Sequence, residues 1–80
     1  MKDADLARSA AARRRLQDLQ EQLRSTAEAI AQTEDEAAEL FDELASTQPA
    51  RAARLHRMAQ DARKFAEHER RQSQQPPPGV

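Results

Sequence analysis

One proline divides this chain. From Asp3 to Gln48 there is no Pro or Gly, and after Pro49 none recurs until the Pro76-Pro77-Pro78-Gly79 run near the end. An interior Gly costs about 1 kcal/mol and an interior Pro about 3 kcal/mol relative to Ala in a helix, so such a stretch is free to stay helical throughout. The residues that fill it are mainly Ala, Glu, Arg, Leu and Gln, all good helix formers. Pro49 removes a backbone N–H, disfavours helical geometry at Gln48, and suits the first turn of a new helix. The expectation is all-α: residues 1–72 form one antiparallel two-helix hairpin, with a long helix over 3–46, a turn at 46–49 and a shorter helix over 49–72. Thr47 or Gln48 is the expected N-cap of the second helix, Thr having the better chemistry. Residues 73–80 read as a disordered, Pro-rich tail.

Apolar residues in the first helix recur alternately three and four apart: Ala12, Leu16, Leu19, Leu23, Thr26, Ile30, Thr33, Ala37, Leu40 and Leu44. That spacing is a heptad seam and predicts coiled-coil-like packing. Leu6, Ala27 and Phe41 widen the stripe on one flank, as a helix touching more than one neighbour would require. The second helix carries Leu55, Met58, Ala62 and Phe65, flanked by Ala52, Ala59 and Ala66. The hairpin core is therefore expected from Leu40, Phe41, Leu44, Leu55, Met58 and Phe65.

Charge is partitioned along the chain. Residues 1–24 carry six basic and four acidic groups, residues 25–48 seven acidic and no basic groups, and residues 49–72 seven basic and three acidic groups. Folding at Pro49 lays the acidic half of the first helix against the basic second helix. On a helical wheel Arg54 flanks one side of the second stripe, with Arg63 and Arg70 on the other. Glu34, Glu36 and Glu43 flank the first seam, where such charges select partner and orientation.

A first helix of 43 residues would be roughly 65 Å long and a second of 24 roughly 36 Å. The second covers only part of the first and leaves Leu6, Leu16, Leu19 and Leu23, with Ile30 beyond them, on an uncovered seam. A contiguous exposed apolar stripe of this kind marks a binding surface. The pattern predicts assembly as a homodimeric helical bundle, in which an antiparallel second copy centred near Leu23 and Arg24 sets Arg13, Arg14 and Arg15 beside Glu34, Asp35 and Glu36. Leu, Ile, Val and Phe together make only 11 of the 80 residues, so an isolated hairpin would have little to bury.

Several chemistries lack their residues. Cys is absent, which removes disulfides, zinc-thiolate sites and thiol catalysis. His56 and His68 are the only histidines, and neither lies in a Glu-x-x-His or His-Glu-x-x-His pattern. Glu36, Glu39 and Glu43 lie near one another, but paired carboxylates do acid–base work only in a cleft, and a two-helix hairpin offers little concave surface. Gly79 is the only glycine, so no phosphate loop exists. No enzyme activity, cofactor, metal or small-molecule substrate is expected. No apolar run nears the roughly 18 residues that span a bilayer, and the first residues lack the apolar core of a secretory signal, so no membrane partner and a cytoplasmic location are expected. The expected function is a coiled-coil adaptor, scaffold or regulatory subunit, acting by self-association or by pairing with a helix of another protein. The rival reading is a nucleic-acid-binding, plasmid-type or transcriptional regulator that neutralises phosphates with Arg13–Arg15 and Arg8. Against it stand a net charge of −1 and the absence of Tyr and Trp for base stacking.

Overall fold

The computed structural model describes residues 3–74, all of them helical except Gln48. Helix α1 spans Asp3–Thr47, a single 3-10 turn covers Pro49–Arg51, and helix α2 spans Ala52–Gln74. The two helices form an antiparallel hairpin: Arg63 bonds Asp42, while Arg70, farther from the turn, bonds Asp35 and Glu28. No strand occurs among the described residues. Asp3 and Asp5 in the first turn of α1 place negative charge where the helix dipole favours it.

Of the two residues expected to cap the second helix, Gln48 rather than Thr47 takes the position. Thr47 is still in α1, and its hydroxyl donates to the Leu44 carbonyl at 3.1 Å; the Ser46 hydroxyl donates to the Glu43 carbonyl at 2.6 Å. Both hydroxyls bond back three residues to carbonyls of the last turns of α1, in place of reaching forward to cap the next helix. Gln48 takes the cap position at φ −130°, ψ 75°, with no side-chain cap bond. Its carbonyl accepts the Arg51 N–H at 2.9 Å. Pro49 has no N–H to offer, so the start of this turn has one donor fewer to cap. At the other end Ser73 and Gln74, assigned to the tail from sequence, are the last residues of α2, and the Ser73 hydroxyl donates to the Arg70 carbonyl at 2.9 Å. The remainder of that tail lies outside the described residues.

The core is made of alanine. The buried residues are Ala31, Ala38 and Ala45 on α1 and Ala59, Ala62 and Ala66 on α2. Ala31, Ala38 and Ala45 lie seven residues apart, and the same interval continues through half-buried Ala52 to Ala59 and Ala66. Phe41 packs partly buried on the cluster of Ala38, Ala59 and Ala62, and Leu44 and Leu55 are half-buried. Leu40, Met58 and Phe65, expected in the core, remain 55%, 38% and 46% exposed. The physical reason is rotational. Residues one position round from the leucine seam face α2, which brings Asp35 and Asp42 into reach of arginines. Turning α1 to bury Leu40 would carry both carboxylates away.

A contact that relies on the smallness of alanine has no room for longer side chains. Overfilling a packed site costs typically about 1–3 kcal/mol, equivalent to roughly 4–20 °C in a domain of this size. Ala38→Leu and Ala59→Leu are therefore expected to lower the melting temperature by that much, followed by circular dichroism. Ala53→Leu, at an exposed position of α2, should leave it nearly unchanged. Equal melting of all three variants would dismiss alanine packing as the limit on the contact.

Candidate functional site

The buried alanines divide the hairpin into two edges. Four residues after each of Ala31, Ala38, Ala52, Ala59 and Ala66 come Asp35, Asp42, His56, Arg63 and Arg70. A step of four turns a helix about 40° past one full turn, and a step of three falls about 60° short, so these positions flank the contact on opposite sides. Because the helices are antiparallel, the four-step flanks of α1 and α2 share one edge. Glu28, Asp35 and Asp42 there meet His56, Arg63 and Arg70, each set spaced by seven.

This ionic edge consists of two three-residue clusters. Arg70 donates through Nη1 to Asp35 Oδ2 at 2.7 Å and through Nε to Glu28 Oε1 at 3.3 Å. Asp42 accepts from Arg63 on one oxygen and lies 2.9 Å from His56 Nδ1 on the other. The Arg63 hydrogen bond, then that from His56, holds the Asp42 carboxyl below its ordinary value, against a smaller opposing effect of desolvation. Hydrogen bonds to Asp35 and then Glu28 raise Arg70 above its ordinary value. Arg24–Glu21 and Arg71–Glu67 are single-helix pairs at 3.5 and 3.4 Å. Of the carboxylates assigned from sequence to flank the hairpin seam, Glu34, Glu36 and Glu43 make no ion pair with α2; Glu36 accepts a bond from Gln32 at 3.4 Å. The acids that engage α2 are Glu28, Asp35 and Asp42, and their seven-residue spacing, matched by 56, 63 and 70, was the signal available for finding them.

The other edge is apolar and open. Three residues after Ala38, half-buried Ala52 and Ala59 come Phe41, Leu55 and Ala62, with Glu34 and Glu69 at the same step from Ala31 and Ala66 toward the far end of the hairpin. Farther round the same side lie Ile30, Ala37 and Leu44 of α1 and Met58 and Phe65 of α2, each directly before a buried alanine. Leu16, Leu19 and Leu23 extend this stripe along the part of α1 that α2 does not reach, and Leu40 stands at its outer margin. Leu6, Leu16, Leu19 and Ile30 are exposed, and Leu23 is 70% exposed. Midway along the stripe a shallow depression is lined by Thr26, Ala29, Ile30 and Thr33, with Glu34 at its rim. Positions spaced zero, three, four and seven are the four-residue hole that receives a side chain from a facing helix in knobs-into-holes packing.

Arg13, Arg14 and Arg15 are exposed on the uncovered part of α1, without an ion-pair partner among the described residues. Three consecutive residues fan through about 200° of a helix surface, so they do not form a single basic face. Within one chain they stand about 30 Å from Glu34–Glu36 along the rigid helix, and the hairpin does not bring the two clusters together. Among the described residues no group of three His, Asp or Glu is placed to hold a metal, and no helix is long and apolar enough to cross a membrane.

The ionic edge generates a pH dependence with a defined sign. A carboxyl held below its ordinary value in the folded chain adds stability above the unfolded value, and that stability is lost as pH falls through the folded value. Asp42 therefore contributes fully at neutral pH and loses its contribution below about pH 4. Arg70 is raised, so its contribution persists at all pH values below the ordinary arginine range and adds no slope near neutrality. Asp42→Asn should lower the melting temperature at pH 7 and flatten its decline between pH 4 and 2. An unchanged acid limb would remove Asp42 from the account.

No protein-family model, curated protein or solved structure matches the chain, so its functional reading rests on the residues themselves.

Proposed function

We propose that this chain is a small non-catalytic interaction module of coiled-coil type, an adaptor, scaffold or regulatory subunit that works by seating a helix against the apolar edge of its hairpin. The single observation that carries this reading is the division of labour among apolar side chains. Among the described residues every fully or nearly buried one is alanine, while Leu16, Leu19, Leu23, Ile30, Leu40, Met58 and Phe65 are exposed. Burying a large aliphatic or aromatic side chain contributes roughly 1.5–3 kcal/mol, and the hairpin leaves that contribution uncollected. A partner helix collects it, and the depression at Thr26–Thr33 supplies the surface relief that fixes its position. Self-association into a helical bundle and pairing with another protein are both uses of the same edge.

Paired affinity captures from the native host test the reading, with the whole chain and its Leu19→Glu and Leu23→Glu variants as baits. Both positions lie outside the α1–α2 contact, so the hairpin should survive, which circular dichroism checks. The expected result is a partner, either another protein or a differently tagged copy of this chain, held by the wild type and lost with both variants. The same proteins at the same yield from all three baits would falsify the docking edge.

A further inference from the structure

We infer that the occupant of this edge is a second copy of the chain, docked antiparallel along α1 in one register. The inference rests on the docking role proposed above and names its partner. The register is the one that seats Leu19 in the depression of the facing copy, opposite Ile30. Leu16 then faces Thr33, Leu23 faces Thr26, and Ala12 faces Ala37. Leu16 and Leu23 therefore each meet a threonine, and Leu19 meets the one large residue among the four that line the depression, Ile30. The two-fold axis passes between Arg24 and Ser25, and the seam from Ser9 to Leu40, with Arg8 and Glu43 flanking its ends, is about 48 Å long.

The charges flanking this seam choose the same register independently. In an antiparallel helix pair, positions on one flank meet their equivalents on the same flank of the partner. On one side Arg13 meets Glu34. On the other Arg15 meets Glu36, and Arg8 meets Glu43. Every charged pair that faces across the seam is of opposite sign, and the two-fold doubles each of them. None of these six residues is engaged in an ion pair with α2. Of the seven acidic groups in residues 25–48, the hairpin consumes Glu28, Asp35 and Asp42, and this dimer uses three of the four it leaves, Glu34, Glu36 and Glu43. Parallel pairing would instead set the seven acidic groups of residues 25–48 against seven identical ones. The antiparallel order also lays the N-terminal half of each α1 toward the partner's α2, which carries exposed Met58 and Phe65. Asp35 drops out of the intermolecular set read from sequence, because Arg70 of its own chain holds it.

Charge reversal tests both occupant and register. One variant carries Arg13→Glu and Arg15→Glu, the other Glu34→Arg and Glu36→Arg; neither touches the α1–α2 ion pairs. Light scattering on size-exclusion fractions at tens of micromolar should give twice the 9.0 kDa chain mass for the wild type. Each variant alone should dimerise at least about tenfold more weakly, since two pairs become repulsive and each occurs twice. Mixed one to one, the variants should recover wild-type affinity as a heterodimer, because each reversed charge then meets its complement. A monomeric wild type overturns the second copy as occupant, while the captures with Leu19→Glu and Leu23→Glu separately decide whether the edge docks any helix. A wild-type dimer that neither variant weakens, or a mixture that fails to recover, overturns the register.

Discussion

Alanine carries no side-chain atom beyond Cβ, and the contact between α1 and α2 is made where Ala31, Ala38, Ala45, Ala59, Ala62 and Ala66 are buried. Interaxial distance follows the size of the side chains at the contact, so an alanine stripe on each helix lets the two backbones approach closely. Two features of the molecule depend on that closeness. Short carboxylate side chains such as Asp35 and Asp42 can reach across to the neighbouring helix, which they could not do over a layer of leucines. Every large apolar side chain among the described residues is also displaced from the centre of the contact, so Phe41, Leu44 and Leu55 are half-buried and the rest are exposed.

The same repeat that makes the contact uniform leaves it ambiguous. Alanines every seventh residue on both helices would match nearly as well if α2 slid by one heptad, and so would the ionic edge, since its acids and bases share the interval. The turn removes this freedom. The Ser46 and Thr47 hydroxyls close the end of α1, and Arg51 closes the 3-10 turn on Gln48, leaving one non-helical residue between the elements. A slip of seven would need that many residues of connecting chain, which this turn does not contain. The ionic edge then fixes rotation about the helix axes, a role that suits exposed pairs whose individual contributions are small.

Much of this was legible from residue order. Pro49 located the break, and the absence of Pro and Gly before it gave the long helix to within a residue of its observed C-terminal end. The opposition of acidic residues 25–48 to basic residues 49–72 gave the antiparallel association at the level of segments. The facing stripe was not legible by hydrophobicity, because that ranking follows the free energy of burying each side chain and places Leu40 far above Ala38. It takes no account of how close two backbones can come. With 17 alanines in the chain, serving both as helix formers and as contact residues, their composition does not separate the two uses. Only the interval from Ala31 to Ala66 does. The pairing acids were obscured for the same reason: Glu34 and Asp42 flank different stripes, and the stripe had to be chosen first.

The uncovered part of α1 bears on why the leucines are there at all. Helix propensity does not require them, since Gln, Glu, Lys and Arg hold a helix about as well as Leu does. An unsupported helix of about 20 residues exposed to water is itself marginal, so a segment that only had to extend from the hairpin would gain nothing from Leu16, Leu19 and Leu23. What leucine has and glutamine lacks is free energy on burial, and three of them at three- and four-residue spacing present it on one side. The charges beside them follow the same logic. Arg13 and Arg15 bracket the leucine stripe, and Glu34 and Glu36 bracket the threonine depression, 21 residues farther along on each flank. That interval is three heptads, so each basic residue and the acidic residue 21 positions on share one heptad position, the relation that the proposed dimer requires. This is the pattern on which the proposed antiparallel second copy rests, the acidic complement of each basic residue lying elsewhere on the same helix.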